Sequence, residues 1–117
     1  MNTNEIQRIT CEDLKGMLDR GEPVIVIDTR KSTEYETGHI KSAVNVYYDP
    51  TGESMERSLM LSAMPVDMLL VPYCECDDDS TSALMGIELL DLRYDPDKVK
   101  ALKGGLPRWR ELGYPQE

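Results

Sequence analysis

The sequence predicts an α/β domain built on a mostly parallel sheet, because short apolar runs alternate along the chain with segments of helical periodicity. The clearest run, Val24–Ile27, is continuous and β-branched, which is typical of a strand buried on both faces. Successive parallel strands that are separated by helices are joined by right-handed crossovers. With 117 residues, the chain is expected to form one domain spanning residues 1–117.

In the first half of the chain, helix caps and helix breakers separate the apolar runs. A capping residue followed by an acidic residue three positions later marks a helix start, and glycine or proline marks its end. The predicted elements are a helix capped by Thr10, a strand over Val24–Ile27, a short helix capped by Thr33 and ended by Gly38, a strand over Ala43–Val46 and a helix over Glu53–Ala63. In the last of these, Met55, Leu59 and Ala63 share one face.

The second half continues the alternation. Its predicted elements are a strand over Met68–Tyr73, a long apolar helix opened by Ser80 or Ser82, a strand over Lys98–Leu102, a tight turn at Gly104–Gly105 and a final helix with Pro107 in its first turn. Ligands of such sheets bind beyond the carboxyl ends of the strands. That rule indicates two candidate site segments, Asp28–Arg30 and Cys74–Ser82.

Charge and cysteine usage exclude several classes of function. The chain has 13 basic and 22 acidic residues, a net charge of −9, so nucleic acid and anionic membranes are not expected as partners. Its apolar runs fall well short of the ~20 residues that span a bilayer, and Met1–Glu5 does not look like a signal peptide. We therefore expect a soluble cytoplasmic domain. Its three cysteines, Cys11, Cys74 and Cys76, indicate thiol chemistry or metal binding in preference to a disulfide framework.

Four segments, in order, resemble those of the rhodanese-like (sulfurtransferase) family. They are Asp28–Arg30, Glu34–Ile40 with Ala43–Asn45, Tyr73–Cys74 with the loop and helix that follow, and Leu102–Gly105 with Trp109 and Gly113–Pro115. The resemblance implies a three-layer α/β sandwich around a five-stranded, mostly parallel sheet. It also implies a cysteine that accepts sulfane sulfur as a persulfide and passes it to a thiophilic acceptor, with no cofactor. The implied partner is a small sulfane-sulfur donor or a persulfide carrier protein.

The resemblance also bears on which cysteine is the nucleophile. In the family, a small polar residue lies six positions after the nucleophile, and Ser80 or Ser82 meets this spacing for Cys74 or Cys76 respectively. Alignment backwards from the helix, through Leu89 and Tyr94, places Cys76 on the nucleophile without a gap, and the Cys-x-Cys arrangement resembles one subgroup of the family. Cys76 is therefore the predicted nucleophile and Cys74 the alternative, with Cys74 otherwise a small buried residue or a resolving thiol.

The loop after the nucleophile is predicted to bind the substrate. It comprises Asp77, Asp78, Asp79, Ser80, Thr81 and Ser82. Backbone N–H groups that converge at a helix N-terminus stabilise a thiolate, whereas three neighbouring carboxylates raise the pKa of a thiol and repel a doubly charged anion. The sequence thus predicts poor turnover of thiosulfate. A neutral or cationic donor, or a protein-bound persulfide on a basic surface, fits this loop better.

The remaining candidate residues are predicted to be structural. Asp28 and Arg30 are expected to form a scaffold ion pair, His39 a hydrogen-bonded scaffold residue, and Cys11 and Trp109 parts of the core. No metal site is expected, because Cys-x-Cys lacks the second ligand pair of a structural zinc site. The acidic loop motivates an alternative function, a binding or thiol redox-sensing module that kept the scaffold and lost turnover.

Overall fold

The computed structural model describes residues 2–52, 54–75 and 80–117. Its strands are β1 (Gln7–Ile9), β2 (Val24–Asp28), β3 (Val44–Asn45), β4 (Leu69–Tyr73) and β5 (Lys100–Leu102). Its helices are α1 (Cys11–Asp19), α2 (Ser32–Thr37), α3 (Met55–Ser62), α4 (Ser80–Asp91) and α5 (Gly105–Glu111), with 3-10 turns at Thr3–Glu5 and Pro96–Lys98. Within this part of the chain, no helix is long and apolar enough to cross a membrane.

The strands pair in parallel, as the sequence predicts. One ladder has the order β3-β2-β4 and the other pairs β1 with β5. A single parallel bridge between Leu70 and Val99 joins the two ladders at the β4–β5 boundary. The predicted layer of five parallel strands is confirmed for the described residues, although it divides into two ladders.

Helices cover both faces of the sheet. Successive side chains along a strand point to opposite faces, and here both sets are apolar and are buried against helices. On one face, α1 and α5 pack against β2 and β4 through Leu14, Leu106, Trp109, Val26 and Val71. On the other, α3 and α4 pack against the same strands through Leu61, Met85, Leu89, Ile27 and Leu70. The predicted three-layer sandwich is therefore confirmed, and Cys11 and Trp109 lie in its core as expected.

Several predicted boundaries were wrong. Thr33 does not cap α2, because the helix already begins at Ser32 and its N-cap, Lys31, makes no side-chain capping bond. The predicted strand over Lys98–Leu102 is shorter, since its first residue belongs to the preceding 3-10 turn. Strand β1 was not predicted; at three residues it is too short for its alternation to stand out.

The side of helix α3 that the sequence predicts to be apolar faces solvent in the structure. Met55 and Leu59 are exposed, whereas Arg57 and Leu61, four residues apart on the opposite side, are buried. Arg57 donates from Nε and Nη2 to the two carboxylate oxygens of Glu88 at 2.7 and 2.9 Å, and its guanidinium carbon lies 4.6 Å from the centre of the Tyr48 ring. This buried ion pair fixes which side of the helix faces the sheet.

Substitutions on the two sides of α3 should therefore differ sharply. Leu61→Ala is expected to lower the free energy of unfolding by about 2–5 kcal/mol, because it leaves a cavity in the core. Leu59→Ala, on the exposed side, should change it by about 0.5 kcal/mol or less. Urea unfolding followed by circular dichroism measures both. Equal effects would show that α3 packs in a different orientation.

Candidate active site

The candidate site lies where β2 and β4 end side by side. Asp28, the last residue of β2, is in register with Tyr73, the last residue of β4. The Thr29 N–H and hydroxyl both donate to the Tyr73 carbonyl, at 3.1 and 2.9 Å, and so hold the two chain segments together beyond the ladder. Because parallel strands present their carboxyl ends at one edge of the sheet, this edge brings the two predicted site segments together.

A buried ion pair between Asp28 and Arg30 forms the floor of the site. Arg30 Nη2 donates to Asp28 Oδ2 at 2.9 Å, and its Nε and backbone N–H donate to Oδ1 at 3.1 and 2.9 Å. The Tyr73 hydroxyl donates to the same carboxylate at 2.6 Å. Both charged side chains are almost inaccessible to solvent. The structure thus contains the ion pair expected between these two residues, and its scaffold role stays a prediction.

The same network reaches the chain segment that follows α2. Arg30 Nη2 also donates to the Gly38 carbonyl at 2.6 Å, and the Ile40 N–H donates to the Tyr73 hydroxyl at 3.1 Å. Burial and the neighbouring Asp28 carboxylate hold the pKa of Tyr73 well above its ordinary value. The hydroxyl therefore stays protonated, as its bond to the carboxylate requires.

Glu75 connects this network to helix α5. One carboxylate oxygen of Glu75 lies 3.4 Å from Arg30 Nη1, and the other accepts a bond from Arg110 Nη1 at 2.5 Å. The Leu106 N–H, also in α5, donates to the Cys74 carbonyl at 2.9 Å. The first residues after β4 are thus fixed to both β2 and α5.

A cavity of about 270 Å³ opens beside these residues. It is lined by Thr29, Arg30, Lys31, Glu34, Tyr47, Tyr48, Pro50, Cys74, Glu75 and Thr81. Cys74 and Glu75 precede residues 76–79, and Thr81 follows them. The described residues on either side of positions 76–79 therefore line one cavity at the carboxyl edge of the sheet.

The two described cysteines differ in their state. Cys11 is a free thiol in the core, and burial, with a smaller contribution from Glu12, raises its pKa to about 11. Cys74 is buried at the end of β4 and is disulfide-bonded. Cys76, the predicted nucleophile, lies outside the described residues.

The predicted loop is described only in part. Asp77, Asp78 and Asp79 lie outside the described residues. Ser80 begins α4 and is exposed, Thr81 is half-buried, and Ser82 is fully buried. Of the two serines proposed to open the helix, Ser80 is the first helical residue.

His39 lies away from the cavity and is held in place by its neighbours. Its Nδ1 donates to the Tyr35 carbonyl at 2.8 Å, and its ring stacks on the Tyr35 ring with 3.7 Å between centroids. Its Nε2 lies 3.5 Å from a Glu117 carboxylate oxygen. These contacts match the scaffold role predicted for this histidine. Over residues 2–52, 54–75 and 80–117, no group of three or more His, Cys, Asp or Glu is arranged to hold a metal.

The sequence did not predict that Glu75, Arg110 and Tyr73 belong to the hydrogen-bond network of the site. The sequence places Tyr73 at the end of a strand and in the family-like segment Tyr73–Cys74, but it does not show that the Tyr73 hydroxyl links Asp28 to Ile40. Glu75 and Arg110 are 35 positions apart. No local spacing signals a contact over that separation, so only the three-dimensional arrangement reveals it.

With this geometry established, comparison with known proteins identifies the family. The rhodanese-like domain family matches the chain over residues 10–112, and the chain belongs to that family. A solved rhodanese-like domain from Anabaena has the same fold, with a TM-score of 0.76 at 25% identity over 94% of this chain and 77% of that one. Membership of a Cys-x-Cys subgroup stays a prediction.

Two curated relatives contain a similar segment. The chain is 31% identical over 108 residues to the HTH-type transcriptional regulator Rv0324 of Mycobacterium tuberculosis, covering 92% of this chain and 43% of that protein. It is 25% identical over 107 residues to the adenylyltransferase and sulfurtransferase UBA4 of Candida albicans, covering 89% of this chain and 23% of that protein. The chain therefore spans less than half the length of either relative.

The Tyr73 hydroxyl is expected to stabilise the site measurably. Tyr73→Phe should lower the free energy of unfolding by about 1–3 kcal/mol at neutral pH, because Asp28 and the Ile40 N–H lose a buried partner. Since the folded pKa of Tyr73 is raised, the contribution of this group is complete below its unfolded pKa of about 10 and is lost as the pH rises above it.

Urea unfolding at neutral pH and at pH values of about 9 to 11 tests this prediction. The variant should lose less stability than the wild-type protein across the alkaline range. Tyr47→Phe, at an exposed tyrosine, is the control and should match the wild-type protein at both conditions. Identical alkaline profiles for Tyr73→Phe and the wild-type protein would contradict the buried bond to Asp28.

Proposed function

We propose that the chain is a sulfurtransferase that carries sulfane sulfur as a persulfide on Cys76. The Cys76 thiolate attacks the sulfane sulfur of a donor persulfide, a sulfur–sulfur bond forms to Cys76, and the donor thiolate leaves with the electron pair of the broken bond. The acceptor thiolate then removes the same sulfur by the reverse exchange. No external oxidant or reductant is consumed, and no cofactor or metal takes part.

The cavity at the carboxyl edge of the sheet supports this proposal most directly. Cys74 and Glu75, which come just before position 76 in the chain, and Thr81 of the predicted loop all line it. Helix α4 begins at Ser80, directly after that segment. The N-terminus of a helix carries partial positive charge, which favours a thiolate or the anionic end of a persulfide. A relative named as a sulfurtransferase is consistent with this chemistry.

The charges around the cavity favour a protein-bound donor over thiosulfate. Arg30 is held by Asp28, Gly38 and Glu75, so its guanidinium is already engaged on several sides. Glu34 and Glu75 face the cavity together with Lys31. A doubly charged anion would meet little uncompensated positive charge here. The net charge of −9 and the three aspartates Asp77–Asp79 of the loop sequence instead favour a persulfide presented by a partner with basic side chains.

A thiol redox module is a second candidate function, and the disulfide at Cys74 favours it. A disulfide at Cys74 means that a thiol two positions from the predicted nucleophile can be oxidised, which is what a redox-sensing module requires. On this hypothesis, the scaffold reports the thiol state to a partner and turns over no donor. The two functions differ in whether the reduced protein gains sulfur.

Intact mass spectrometry of the reduced protein after incubation with glutathione persulfide tests the assignment. The wild-type protein and Cys74→Ser should each gain one sulfur atom, and Cys76→Ser should gain none. Cys11→Ser is the matched control and should load like the wild-type protein, because the Cys11 thiol is buried and its pKa is raised to about 11. Loading that is lost in Cys74→Ser and kept in Cys76→Ser would make Cys74 the nucleophile.

The redox hypothesis predicts a different result in the loading experiment and in a second measurement of free thiols. It predicts no sulfur adduct on the reduced wild-type protein with any donor, together with loss of two thiols under mild oxidation. Thiol counting with and without reductant, compared between the wild-type protein and Cys74→Ser, measures that loss. A protein that loads sulfur when reduced contradicts the purely redox function.

A further inference from the structure

Helix α3 exposes three large apolar side chains to solvent. Met55, Leu59 and Met60 are 81%, 64% and 42% exposed, although α3 has only eight residues. Contiguous exposed apolar surface of this kind marks interaction sites on soluble proteins. Methionine adapts its shape to different partners and is frequent at such surfaces.

This exposure is built into the fold. The opposite side of α3 carries Arg57, which is fixed to Glu88, and Leu61, which is fully buried. Rotating the helix to bury Leu59 would expose Leu61 and break the ion pair, leaving a charge without its partner. The face that carries Met55, Leu59 and Met60, here called the α3 face, is therefore held outward.

The α3 face continues into the candidate active site. Met60 lines a cavity of about 470 Å³ together with Tyr47 and Lys31. Tyr47 and Lys31 also line the smaller cavity that contains Cys74. Tyr47 is itself 40% exposed, so the two cavities share an accessible aromatic side chain. A molecule seated on the α3 face would lie next to the cavity that Cys74 lines.

Acidic side chains frame this face. Glu56 is exposed between Met55 and Met60, and the exposed Asp91 lines a further cavity beside Met55, whereas the charge of Glu88 is neutralised by Arg57. The chain as a whole carries a net charge of −9. A second copy of the chain would bring like charges together, whereas a surface with apolar and basic side chains would be complementary.

We propose that the α3 face is the docking surface for a basic partner protein that exchanges sulfane sulfur with this chain. The inference rests on the proposed function and adds the surface and the chemistry of the partner to it. Apolar contacts to Leu59 and Met60 hold the partner, and the exposed carboxylates of Glu56 and Asp91 select its positive charge. Docking there places the partner's persulfide beside the cavity that Tyr47 and Lys31 border.

A synthetic helical peptide with leucines on one side, lysines on the other and a single cysteine is the probe. With serine in place of the cysteine and a fluorescent label, the peptide reports binding by anisotropy, independently of any turnover. With the cysteine converted to a persulfide, its rate of sulfur delivery is measured by intact mass and divided by the rate for glutathione persulfide.

Two double variants with equal chemical changes separate the α3 face from general surface effects. Leu59→Ser with Glu56→Gln removes one exposed aliphatic side chain and one carboxylate from the face. Val66→Ser with Asp67→Asn removes the same groups from exposed residues just before β4, at the opposite edge of the sheet. Circular dichroism melting confirms that each variant is folded.

The expected result is binding about tenfold weaker in the α3 variant, a loss of roughly 1.4 kcal/mol, and a similar fall in the ratio of the two delivery rates. The Val66/Asp67 variant should match the wild-type protein, and a peptide with glutamates in place of lysines should not bind. Equal binding by both variants would overturn the docking surface. So would sedimentation showing a wild-type dimer that Leu59→Ser dissociates, because a second copy would then cover the face.

The failures of the two proposals are distinguishable. Sulfur loading from glutathione persulfide without any difference between the two variants overturns the docking surface alone. Peptide binding that weakens only in the α3 variant, with no sulfur adduct from either donor, leaves a docking surface and overturns the sulfur exchange.

Discussion

The buried carboxylate of Asp28 holds together the carboxyl ends of β2 and β4, where the candidate site lies. It is buried, and it accepts hydrogen bonds from the Arg30 guanidinium and from the Tyr73 hydroxyl. A buried charge that loses one partner costs about 3–5 kcal/mol, so each member of this group constrains the others. Through Gly38 and Ile40 the same group fixes the segment after α2. Two strands and one connecting segment are thereby locked together where the predicted loop begins.

This scaffold also shapes the electrostatics of the site. Arg30 lines the cavity, but its guanidinium is already paired with Asp28 and Glu75. It therefore stabilises the fold and is not free to bind an anionic ligand. Arg110 is similarly paired with Glu75. The acidic residues of the loop sequence add to this balance. The described lining of the cavity has two basic and two acidic side chains, Arg30 and Lys31 against Glu34 and Glu75, so it offers no net positive charge to a small dianion. The proposed protein-bound donor and the proposed docking surface on α3 are both consistent with this balance.

Much of the fold was predictable because its signals are local. The β-branched run before Asp28, the Thr10 cap and the Gly104–Gly105 turn each determine an element within a few residues, and the structure places those elements as predicted. The errors fall where local signals are weak or compete. Strand β1 is short, Thr33 lies one residue inside α2, and the apolar face of α3 is turned outward because Arg57 must meet Glu88.

The sequence by itself determined the alternation of strands and helices, the family, and the pair Asp28 and Arg30, since each depends on residues close together in the chain. Only the tertiary structure decided that Tyr73 completes this pair, that Glu75 joins Arg30 to Arg110, and that α3 presents its methionines to solvent. These contacts join residues more than 30 positions apart. The physical reason is that such pairings depend on how each helix packs against the sheet, and α3 packs with both Arg57 and Leu61 facing inward.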